Sequence, residues 1–229
     1  MTIKSIDDIK NSFYINLEHR TDRREHVESE LLKIGITAQR FNAIKMENGA
    51  IGCSMSHLKL LQDAQKNDLD HILIIEDDIK FLDPELFKKQ INQFFELHKN
   101  DWDVILLAGN NMPPYESTDH TCIKVSRCQT TTGYLVNGHY IKTLLQNIKI
   151  GLTHLLNKPK EHNKYAIDKY WLILQNLYKW YLIVPPTVVQ REDYSDIEKR
   201  VTNFEKHMQD LDKEEMIKMF NERQIRCSK

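Results

Sequence analysis

Three consecutive carboxylates, Glu76, Asp77 and Asp78, follow an apolar run at residues 72–75. An uninterrupted apolar run of this length is typical of a strand that is buried on both faces of a parallel sheet. If the strand continues through the acids, Glu76 and Asp78 point to one side of the sheet and Asp77 points to the other. Two buried like charges on one face repel each other unless a cation lies between them. The pattern therefore predicts a site for Mg²⁺ or Mn²⁺, which prefer oxygen ligands and keep positions open for phosphate oxygens.

An acidic turn in solvent is the alternative interpretation of these carboxylates, with Asp83 capping the next helix. The position of the acids favours the metal site, because ligands of open α/β sheets bind outside the carboxyl ends of the strands.

Arginines form a second cluster in which chemistry is expected. Arg20, Arg23 and Arg24 follow a short apolar run at residues 13–17 and lie at the start of a predicted helix. The amino end of a helix favours anionic ligands, and nearby cations strengthen that preference. The alternative is that each arginine lies in solvent or pairs with a neighbouring glutamate.

A third stretch with chemical potential precedes the acidic strand. Gly49 and Gly52 permit a tight loop, and Ser54 is expected to cap the helix that follows. Ser56 and His57 then lie in its first turn, near a ligand that the loop approaches. His57 alone is more often a packed, hydrogen-bonded histidine than a catalyst.

These clusters must be positioned by an α/β framework. Apolar periodicity predicts the order β-α-α-β-α-β over the first half of the chain, which is typical of a mainly parallel sheet with helices on both faces. Further strands are predicted at 103–108, 129–136 and 181–186, and a charged helix is predicted for the last thirty residues. Asp168 lies in an aromatic-rich segment at 151–180.

Composition limits the classes of function. Lys and Arg total 32 against 33 acidic residues, so no basic field of a nucleic-acid-binding protein is present. With 229 residues and no repeats, we expect one large domain. The sequence has no apolar run of membrane-spanning length and no signal-peptide pattern at its start, so we expect a cytoplasmic protein. The four cysteines lack metal-binding spacing and are expected to be free thiols, with Cys122–Cys128 a weak disulfide candidate.

Five segments resemble, in order, the motif series of glycosyltransferase family 25, which includes bacterial lipooligosaccharide galactosyltransferases and collagen hydroxylysine galactosyltransferases. The resemblance spans residues 12–198, and its combination of motifs is more specific than any single one. The segments are FYINLEHRTDRR, GAIGCSMSHLKLL, ILIIEDDIKF, TTTGYLV and PPTVVQREDYSDI.

The resemblance implies a GT-A fold, which we expect over residues 1–198. The charged helix at 199–229 is expected to form a C-terminal extension that packs on the domain or on a second subunit of a homodimer. The resemblance further implies transfer of galactose or glucose from a UDP-sugar to a hydroxyl of a glycan or of a hydroxylysine-type side chain, with inversion. Mn²⁺ or Mg²⁺ would be held by the acidic motif. Whether Glu76, which is longer than Asp by one methylene, reaches the metal directly or through water stays open.

The resemblance also suggests roles for individual residues. The third metal position is assigned to Gln190, with Asp193 as the second candidate; alternatively, Gln190 only bonds to the backbone while Ser195 and Asp196 cap the last helix. Asp168 is the candidate general base, and an ion pair with a neighbouring lysine is its alternative role. The residues assigned to the donor nucleotide are Asn16, Leu17, Arg20, Arg24, Ser56, His57 and Asp77.

Three other functions stay open on the sequence. The same acids could serve a Mg²⁺-dependent phosphohydrolase or nucleotidyltransferase. A binding protein could keep the UDP-sugar site without catalysis. An interaction protein could act through its C-terminal helix alone.

Overall fold

The computed structural model describes residues 2–195, 200–214 and 217–218. Alternation of buried and exposed side chains, together with the β-branched content of the apolar runs, produces short strands throughout this part of the chain. The strands are β1 Ser12–Asn16, β2 Gln39–Asn42, β3 His71–Glu76, β4 Ile79–Phe81, β5 Val104–Leu106, β6 Asn110–Asn111, β7 Glu116–Ser117, β8 Cys122–Lys124, β9 Cys128–Gln129, β10 Gly133–Asn137, β11 Trp180–Ile183, β12 Val188–Gln190, β13 Asp193–Ser195 and β14 Arg200–Thr202.

Helices connect these strands, and the four long ones carry one apolar face each. No described helix combines the length and the apolar character that a membrane span requires. The helices are α1 Thr21–Ile34, α2 Gly49–Lys66, α3 Pro84–His98, α4 Ile141–Asn157, α5 His162–Tyr165, α6 Ile167–Tyr170, α7 Leu172–Gln175 and α8 Glu205–Gln209, with 3₁₀ turns at Ile6–Asp8 and Gly138–Tyr140.

The largest sheet of the described chain has eight strands in the order β2-β1-β3-β10-β5-β11-β8-β7. Parallel pairing joins β1 to β2 and to β3, and joins β5 to β11. Strands β10 and β8 run against their neighbours, so six of these eight described strands point in one direction. The predicted mainly parallel sheet is therefore confirmed, with two reversed strands inserted into it.

Helices cover both faces of this sheet because side chains alternate along each strand. In β3, Leu73 and Ile75 join the core that contains α1 and α3, whereas Ile72 and Ile74 join the core that contains α2 and α4. All four of these β3 side chains are fully buried. The double-sided burial that the apolar run predicted is thus observed.

One predicted helix start differs from the structure. Helix α2 begins at Gly49 with Asn48 as its cap, and the Asn48 side chain accepts hydrogen bonds from the amides of Ala50 and Ile51. The glycine-rich stretch is therefore helix and not loop, and Ser54 lies inside it. The Ser54 hydroxyl donates to the Ala50 carbonyl and caps no amide at the helix start. Helix α1 begins at Thr21 directly after Arg20, so the arginines lie at a helix start as predicted.

Later elements also differ from the sequence-based prediction. The strand predicted at 129–136 is divided into β9 and β10, and Cys122 and Cys128 are free thiols and not a disulfide. The charged helix expected at 199–229 is wrong where that segment is described, because residues 200–202 form β14 and only the short α8 follows before residue 210. The rest of that prediction, including dimerisation through the helix, falls largely outside the described residues.

Candidate functional site

An open cleft of about 220 Å³ lies where β1 and β3 end. Because these strands are parallel neighbours, their carboxyl ends meet at one edge of the sheet. The first turns of α1 and α2 form two of its walls. The residues that line the cleft are Ile15, Leu17, His19, Arg20, Arg23, Ala43, Ile44, Lys45, Met46, Gly49, Gly52, Cys53, Ser56, His57, Glu76, Asp77, Asp78, Gln190 and Ser195.

The three acids do not alternate as the sequence suggested. Strand β3 ends at Glu76, and Asp77 and Asp78 form a tight turn into β4. Both aspartates consequently contact one guanidinium group, that of Arg23, at 2.8 and 3.4 Å. Glu76 instead faces α2, where it meets His57. The predicted separation of Asp77 from Asp78 on opposite sides is wrong, because a turn and not a strand carries these two acids.

Asp78 is the least satisfied acid of the cleft. Its Oδ2 accepts a hydrogen bond of 2.8 Å from the side-chain amide of Gln190, whereas its Oδ1 is buried without a hydrogen-bond partner among the described residues. Burial and the charge of Glu76 raise the pKa of Asp78 to about 7, despite the opposing charge of Arg23. A buried carboxylate oxygen in this state is open to a cation or a proton.

Pairing of β12 with β4 positions Gln190 beside Asp78. The antiparallel register places Gln190 opposite Ile79, the residue after Asp78, and the amide of Arg191 donates to the Asp78 carbonyl across 2.8 Å. This small sheet brings a residue from late in the chain to the acidic turn. The alternative interpretation had Gln190 bond only to the backbone. Its side chain instead donates to the carboxylate of Asp78.

Asp77 is held from two sides. Its Oδ2 accepts from the side-chain amide of Asn16 at 2.7 Å, and its Oδ1 accepts from Arg23 at 2.8 Å. Asn16 also donates to the carbonyl of Arg20 and accepts from Arg40, so it is buried and links the end of β1 to the turn before α1. Burial raises the pKa of Asp77, and the charge of Arg23 opposes this rise.

An arginine cluster surrounds Asp193 at one side of the cleft. The Oδ2 atom of Asp193 lies 3.2 Å from Arg20, 3.0 Å from Arg23 and 2.6 Å from Arg191. Burial would raise the pKa of Asp193, but the bond from Arg191 and the neighbouring charges hold it below its ordinary value. Asp193 is the second candidate for the third metal position, but its Oδ2 is already paired with these arginines.

Glu76 lies in a different environment on the α2 side. Its Oε1 accepts from the Thr131 hydroxyl at 2.7 Å and lies 3.5 Å from His57 Nε2 and 3.6 Å from Cys53 Sγ. Burial opposes ionisation, but these bonds, led by that of His57, hold the pKa of Glu76 below its ordinary value. The Cys53, His57 and Glu76 donor atoms lie within 4.8 Å of one another. Glu76 is therefore held as a carboxylate.

The two predicted contacts on α2 are both buried. His57 is fully buried, with Nδ1 2.8 Å from the Tyr134 hydroxyl, which matches the packed histidine of the alternative interpretation. The Ser56 hydroxyl donates to the Gly52 carbonyl and accepts from the amide of Ile44, each at a distance near 2.9 Å. Ser56 thereby fixes the segment that lines the cleft opposite the acids.

Asp168 is half-buried and does not line the cleft. Its Oδ2 accepts from the Thr130 amide at 3.3 Å and lies 3.6 Å from Lys169 Nζ. Thr130 has a φ of +76°, which is a strained conformation for a β-branched residue. The next residue, Thr131, is the one that donates to Glu76, so this strained connection joins Glu76 to Asp168. Burial raises the pKa of Asp168, against the charge of Lys169.

Two arginines differ from the prediction. Arg24 points away from the cleft and pairs with Glu28 at 2.9 Å, as the alternative interpretation allowed, whereas its neighbour Arg23 contacts the acids. Arg191 was not anticipated at all. Its only sequence signal is its position directly after Gln190, and the β12–β4 pairing that brings it here joins segments more than a hundred residues apart.

A divalent cation fits this set of residues. Asp78, whose Oδ1 has no partner in the described part of the chain, and the adjacent Asp77 offer hard oxygen donors, which are the ligands that Mg²⁺ and Mn²⁺ prefer. Gln190 adds an amide whose oxygen and nitrogen exchange places by rotation of the group. A cation here would also relieve the repulsion among three neighbouring carboxylates.

Comparison with known proteins identifies the family. A model described as glycosyltransferase family 25 (LPS biosynthesis protein) matches residues 45–171, more than half of the sequence. The chain belongs to this family. The family predicted from the motifs is thereby confirmed, and the sheet and helix arrangement confirms the predicted GT-A fold class.

Curated relatives of this family 25 chain include enzymes and proteins described as inactive. Procollagen galactosyltransferase 1 of Danio rerio is 26% identical over 196 residues, which is 69% of this chain and 32% of that protein. The inactive glycosyltransferase 25 family member 3 of Mus musculus is 22% identical over 190 residues, or 69% of this chain and 30% of that one. The chain thus spans about a third of the length of the curated relatives it matches.

Solved structures that resemble this family 25 chain are more distant. A glycosyltransferase involved in glycosylation of the major capsid of PBCV-1 is 14% identical, with a TM-score of 0.43 over 87% of this chain and 88% of that chain. A Drosophila galactosyltransferase variant in complex with manganese, UDP-galactose and xylobiose is 13% identical, with a TM-score of 0.41 over 84% of this chain and 74% of that one.

Proposed function

We propose that this family 25 chain transfers a hexose, galactose or glucose, from a UDP-sugar to a hydroxyl of a glycan or of a hydroxylysine-type side chain, with inversion and with Mn²⁺ or Mg²⁺ as cofactor. One observation carries the proposal. Asp78, whose buried Oδ1 has no partner among the described residues, lines the cleft together with Arg20 and Arg23. A metal-bound diphosphate needs this combination of an acidic cation site and nearby cations.

The donor nucleotide would lie along the carboxyl end of β1. Leu17 lines the cleft and offers an apolar contact for the base. Asn16 would act indirectly, because its side chain donates to Asp77 and to the Arg20 carbonyl before α1. Arg20 and Arg23 lie at the start of α1, where both the helix amides and the guanidinium groups favour the diphosphate. Ser56 and His57 support the opposite wall and do not need to touch the donor.

The cation would be held by Asp77 and Asp78, with Gln190 in the third position. When bound, it would neutralise the charge that develops on the departing UDP. Because Oε1 of Glu76 already contacts Thr131 and His57, Glu76 would contact the cation through a water molecule and not directly. Within the chain, Arg20 and Arg23 add positive charge beside the same leaving group.

Asp168 is retained as the candidate base that takes the proton of the acceptor hydroxyl. Its burial raises its pKa, which suits proton transfer near neutral pH. Its link to Glu76 through Thr130 and Thr131 supports this role, because an acceptor that approached the donor sugar from the Glu76 side would come towards Asp168. The acceptor carbohydrate or peptide would therefore bind between α2 and α6.

A donor-binding protein without catalysis is the second candidate function. Relatives with a similar degree of identity are described as inactive members of the family. Such a protein would keep the Asp78 cation site and the arginines but would lack an effective base. It would bind UDP with Mn²⁺ and would release no UDP from UDP-sugars.

Release of UDP from UDP-galactose, UDP-glucose and UDP-N-acetylhexosamines, each with and without Mn²⁺, tests the proposal. We expect one hexose donor to be preferred and release to require the cation. Asp78→Asn should abolish Mn²⁺-dependent UDP binding. Asp63→Asn, which alters an exposed aspartate paired with Lys59, is the matched control and should bind as the parent does.

The same assay separates the remaining candidates. Binding of Mn²⁺ and UDP without any release supports the inactive binding protein. Release of UMP and hexose 1-phosphate from these donors would indicate a phosphohydrolase, and release of pyrophosphate from UTP and hexose 1-phosphate would indicate a nucleotidyltransferase. Native Mn²⁺-UDP affinity in Asp78→Asn would contradict the metal assignment in every one of these functions.

A further inference from the structure

A second group of metal-binding side chains lies far from the cleft. His98 ends α3, Asp119 lies in the loop before β8, and Cys122 begins β8. One donor atom from each residue lies within 4.8 Å of the other two. None of the three lines the cleft, and β8 is four strands from β3 in the sheet order, roughly 19 Å at the usual strand spacing.

The donor atoms converge on one point. His98 Nε2 lies 2.8 Å from Asp119 Oδ2 and 3.4 Å from Cys122 Sγ. Ligands of a tetrahedral zinc ion lie roughly 3.3–3.6 Å from one another, given bonds of about 2.0–2.3 Å. The sulfur–nitrogen distance already matches, and the nitrogen–oxygen pair needs to open by roughly half an ångström. A simple ion pair beside a thiol would not require the sulfur to share this point.

Surrounding contacts fix the orientation of two ligands. Asp119 Oδ1 accepts from both the amide and the hydroxyl of Thr121, at 2.7 and 2.6 Å, which leaves Oδ2 for His98. The His98 ring stacks on Phe94, with centroids 4.3 Å apart and planes 17° apart, and also packs against Tyr181. Support of this kind orients ligands in metal sites and lowers the entropy lost on binding.

Charge and access also favour a cation. His98 lies in the last turn of α3, where the carbonyl ends of the helix favour positive charge. The side chains of His98 and Asp119 are 11% and 24% exposed, so an ion can reach them, whereas Cys122 is fully buried beneath them. Thiolate and imidazole ligands select Zn²⁺ over Mg²⁺ and Ca²⁺, which prefer oxygen alone.

We infer that His98, Asp119 and Cys122 form a Zn²⁺ site separate from the sugar-donor cleft, with water as the fourth ligand. The ion joins the end of α3 to the strand pair at the far edge of the sheet. Its role is structural, because binding to the folded state alone stabilises that state by mass action. The site does not depend on the proposed transferase function.

Co²⁺ titration of the full chain, in a phosphine reductant that does not ligate metals, tests the site. Co²⁺ replaces Zn²⁺ in such sites, and a thiolate ligand gives a charge-transfer band in the near ultraviolet. We expect one Co²⁺ ion per chain to give this band and Zn²⁺ to displace that ion. We also expect Zn²⁺ to raise the Tm of the protein. Cys122→Ser should remove the band, and His98→Gln and Asp119→Asn should weaken Co²⁺ binding at least tenfold.

Cys53→Ser is the matched control, because Cys53 belongs to the other cysteine-containing cluster, with His57 and Glu76. We expect this variant to keep the band. Absence of the band in the parent protein, or its loss in Cys53→Ser with retention in Cys122→Ser, would overturn the proposal. If Cys122→Ser does not fold, His98→Gln and Asp119→Asn decide, and a parental Co²⁺ affinity of the band in both of them rejects the site.

Discussion

Arg23 donates a hydrogen bond of 2.8 Å from Nη1 to Oδ1 of Asp77, and the same nitrogen lies 3.4 Å from Asp78. The guanidinium group therefore supplies the positive charge that the two aspartates require when no metal ion is bound. All three side chains are about nine-tenths buried, so the pairing is strong and its loss leaves unpaired charge. A cation that binds the aspartates competes with Arg23, and a diphosphate would draw Arg23 away from them.

Arg23→Ala should therefore change three quantities: the free energy of unfolding, the rise in Tm caused by Mn²⁺, and the affinity for UDP. We expect the metal-free protein to lose about 3 kcal/mol of unfolding free energy, because two buried carboxylates lose their partner. Mn²⁺ should raise Tm more in the variant than in the parent, since the competing cation is gone. Affinity for UDP should fall. Chemical denaturation, thermal melting with Mn²⁺ and calorimetry measure these changes.

Arg24→Ala is the control for that experiment. Arg24 is adjacent in sequence but is half-exposed and pairs with Glu28, one turn along α1. Such a pair contributes about 0.3–0.5 kcal/mol, so all three quantities should stay near parental values. Equal effects of the two substitutions would contradict the role given to Arg23.

The arginines show how far the sequence could be used. The motif predicted a cationic turn beside the acids, because residue types and helix position are local properties. It could not say which arginine turns inward, since that depends on where α1 begins relative to β1. The sequence also could not predict that Asp193 pairs with Arg23. Asp193 arrives through the pairing of β12 with β4, a contact between distant segments that no local pattern records.

The position of the three acids could be predicted from the sequence, but their orientation could not. The buried strand before Glu76 was correctly predicted from its apolar run, and the position of the acids at the end of that strand followed from it. The predicted orientation of Asp77 and Asp78 is wrong because the strand ends at Glu76, two residues earlier than alternation assumes. Two-residue turns between short strands have weak sequence signals when they contain no glycine.

Gly52→Ala should damage the cleft through the backbone. A Cβ atom at position 52 would lie 2.5 Å from the carbonyl oxygen of Ile44 and 3.2 Å from the amide of Met46. Both neighbours are main-chain atoms of the wall opposite the acids, so the wall must move. We expect a loss of about 1–3 kcal/mol in stability and weaker UDP binding, measured by denaturation and calorimetry.

Gly35→Ala provides the comparison. It lies at the end of α1 with φ +75°, so alanine there is strained and should cost about 1 kcal/mol, although no atom lies within 4 Å of its Cβ position. Because it does not line the cleft, its UDP affinity should equal that of the parent. Parental UDP affinity in Gly52→Ala as well would show that the wall is not set by this glycine.

His71 should make stability depend on pH. Its Nε2 accepts hydrogen bonds from the amides of Lys10 and Asn11, at 3.1 and 3.3 Å, so the folded ring must carry its proton on Nδ1, which lies 2.7 Å from Asp70. Burial lowers the pKa of His71 below its ordinary value of 6.5, although Asp70 opposes this. The unfolded chain therefore binds a proton that the folded chain excludes, and stability should fall as pH drops below 6.5.

His71→Gln should reduce this pH dependence while leaving any contribution of His26, whose pKa burial also lowers, unchanged. Urea unfolding of parent and variant at pH 7.5 and at pH 5.5 gives the comparison. We expect the parent to lose more free energy of unfolding between these two pH values than the variant does. Equal losses would show that His71 accepts its proton in the folded state without cost.

Asp168→Asn tests the candidate base. The variant can still accept the hydrogen bond from the Thr130 amide, so the strained connection to Glu76 is expected to persist. Donor binding, measured with UDP and Mn²⁺, should be unchanged, because Asp168 does not line the cleft. Loss of a general base typically lowers the rate by ~10²–10⁴-fold, whereas loss of a partly exposed ion pair affects stability by about 0–1 kcal/mol and spares turnover.

Lys169→Ala distinguishes these two roles within the same segment. It removes the ion-pair partner of Asp168 at 3.6 Å and leaves the carboxylate in place. If Asp168 is the base, transfer to an acceptor falls by two or more orders of magnitude in Asp168→Asn and stays within a few-fold of the parent in Lys169→Ala. If Asp168 only supports the fold, both variants transfer at near-parental rates and differ from the parent in Tm alone. Transfer by Asp168→Asn at the parental rate would rule out the base role and direct the search to the other carboxylate on that side, Glu76.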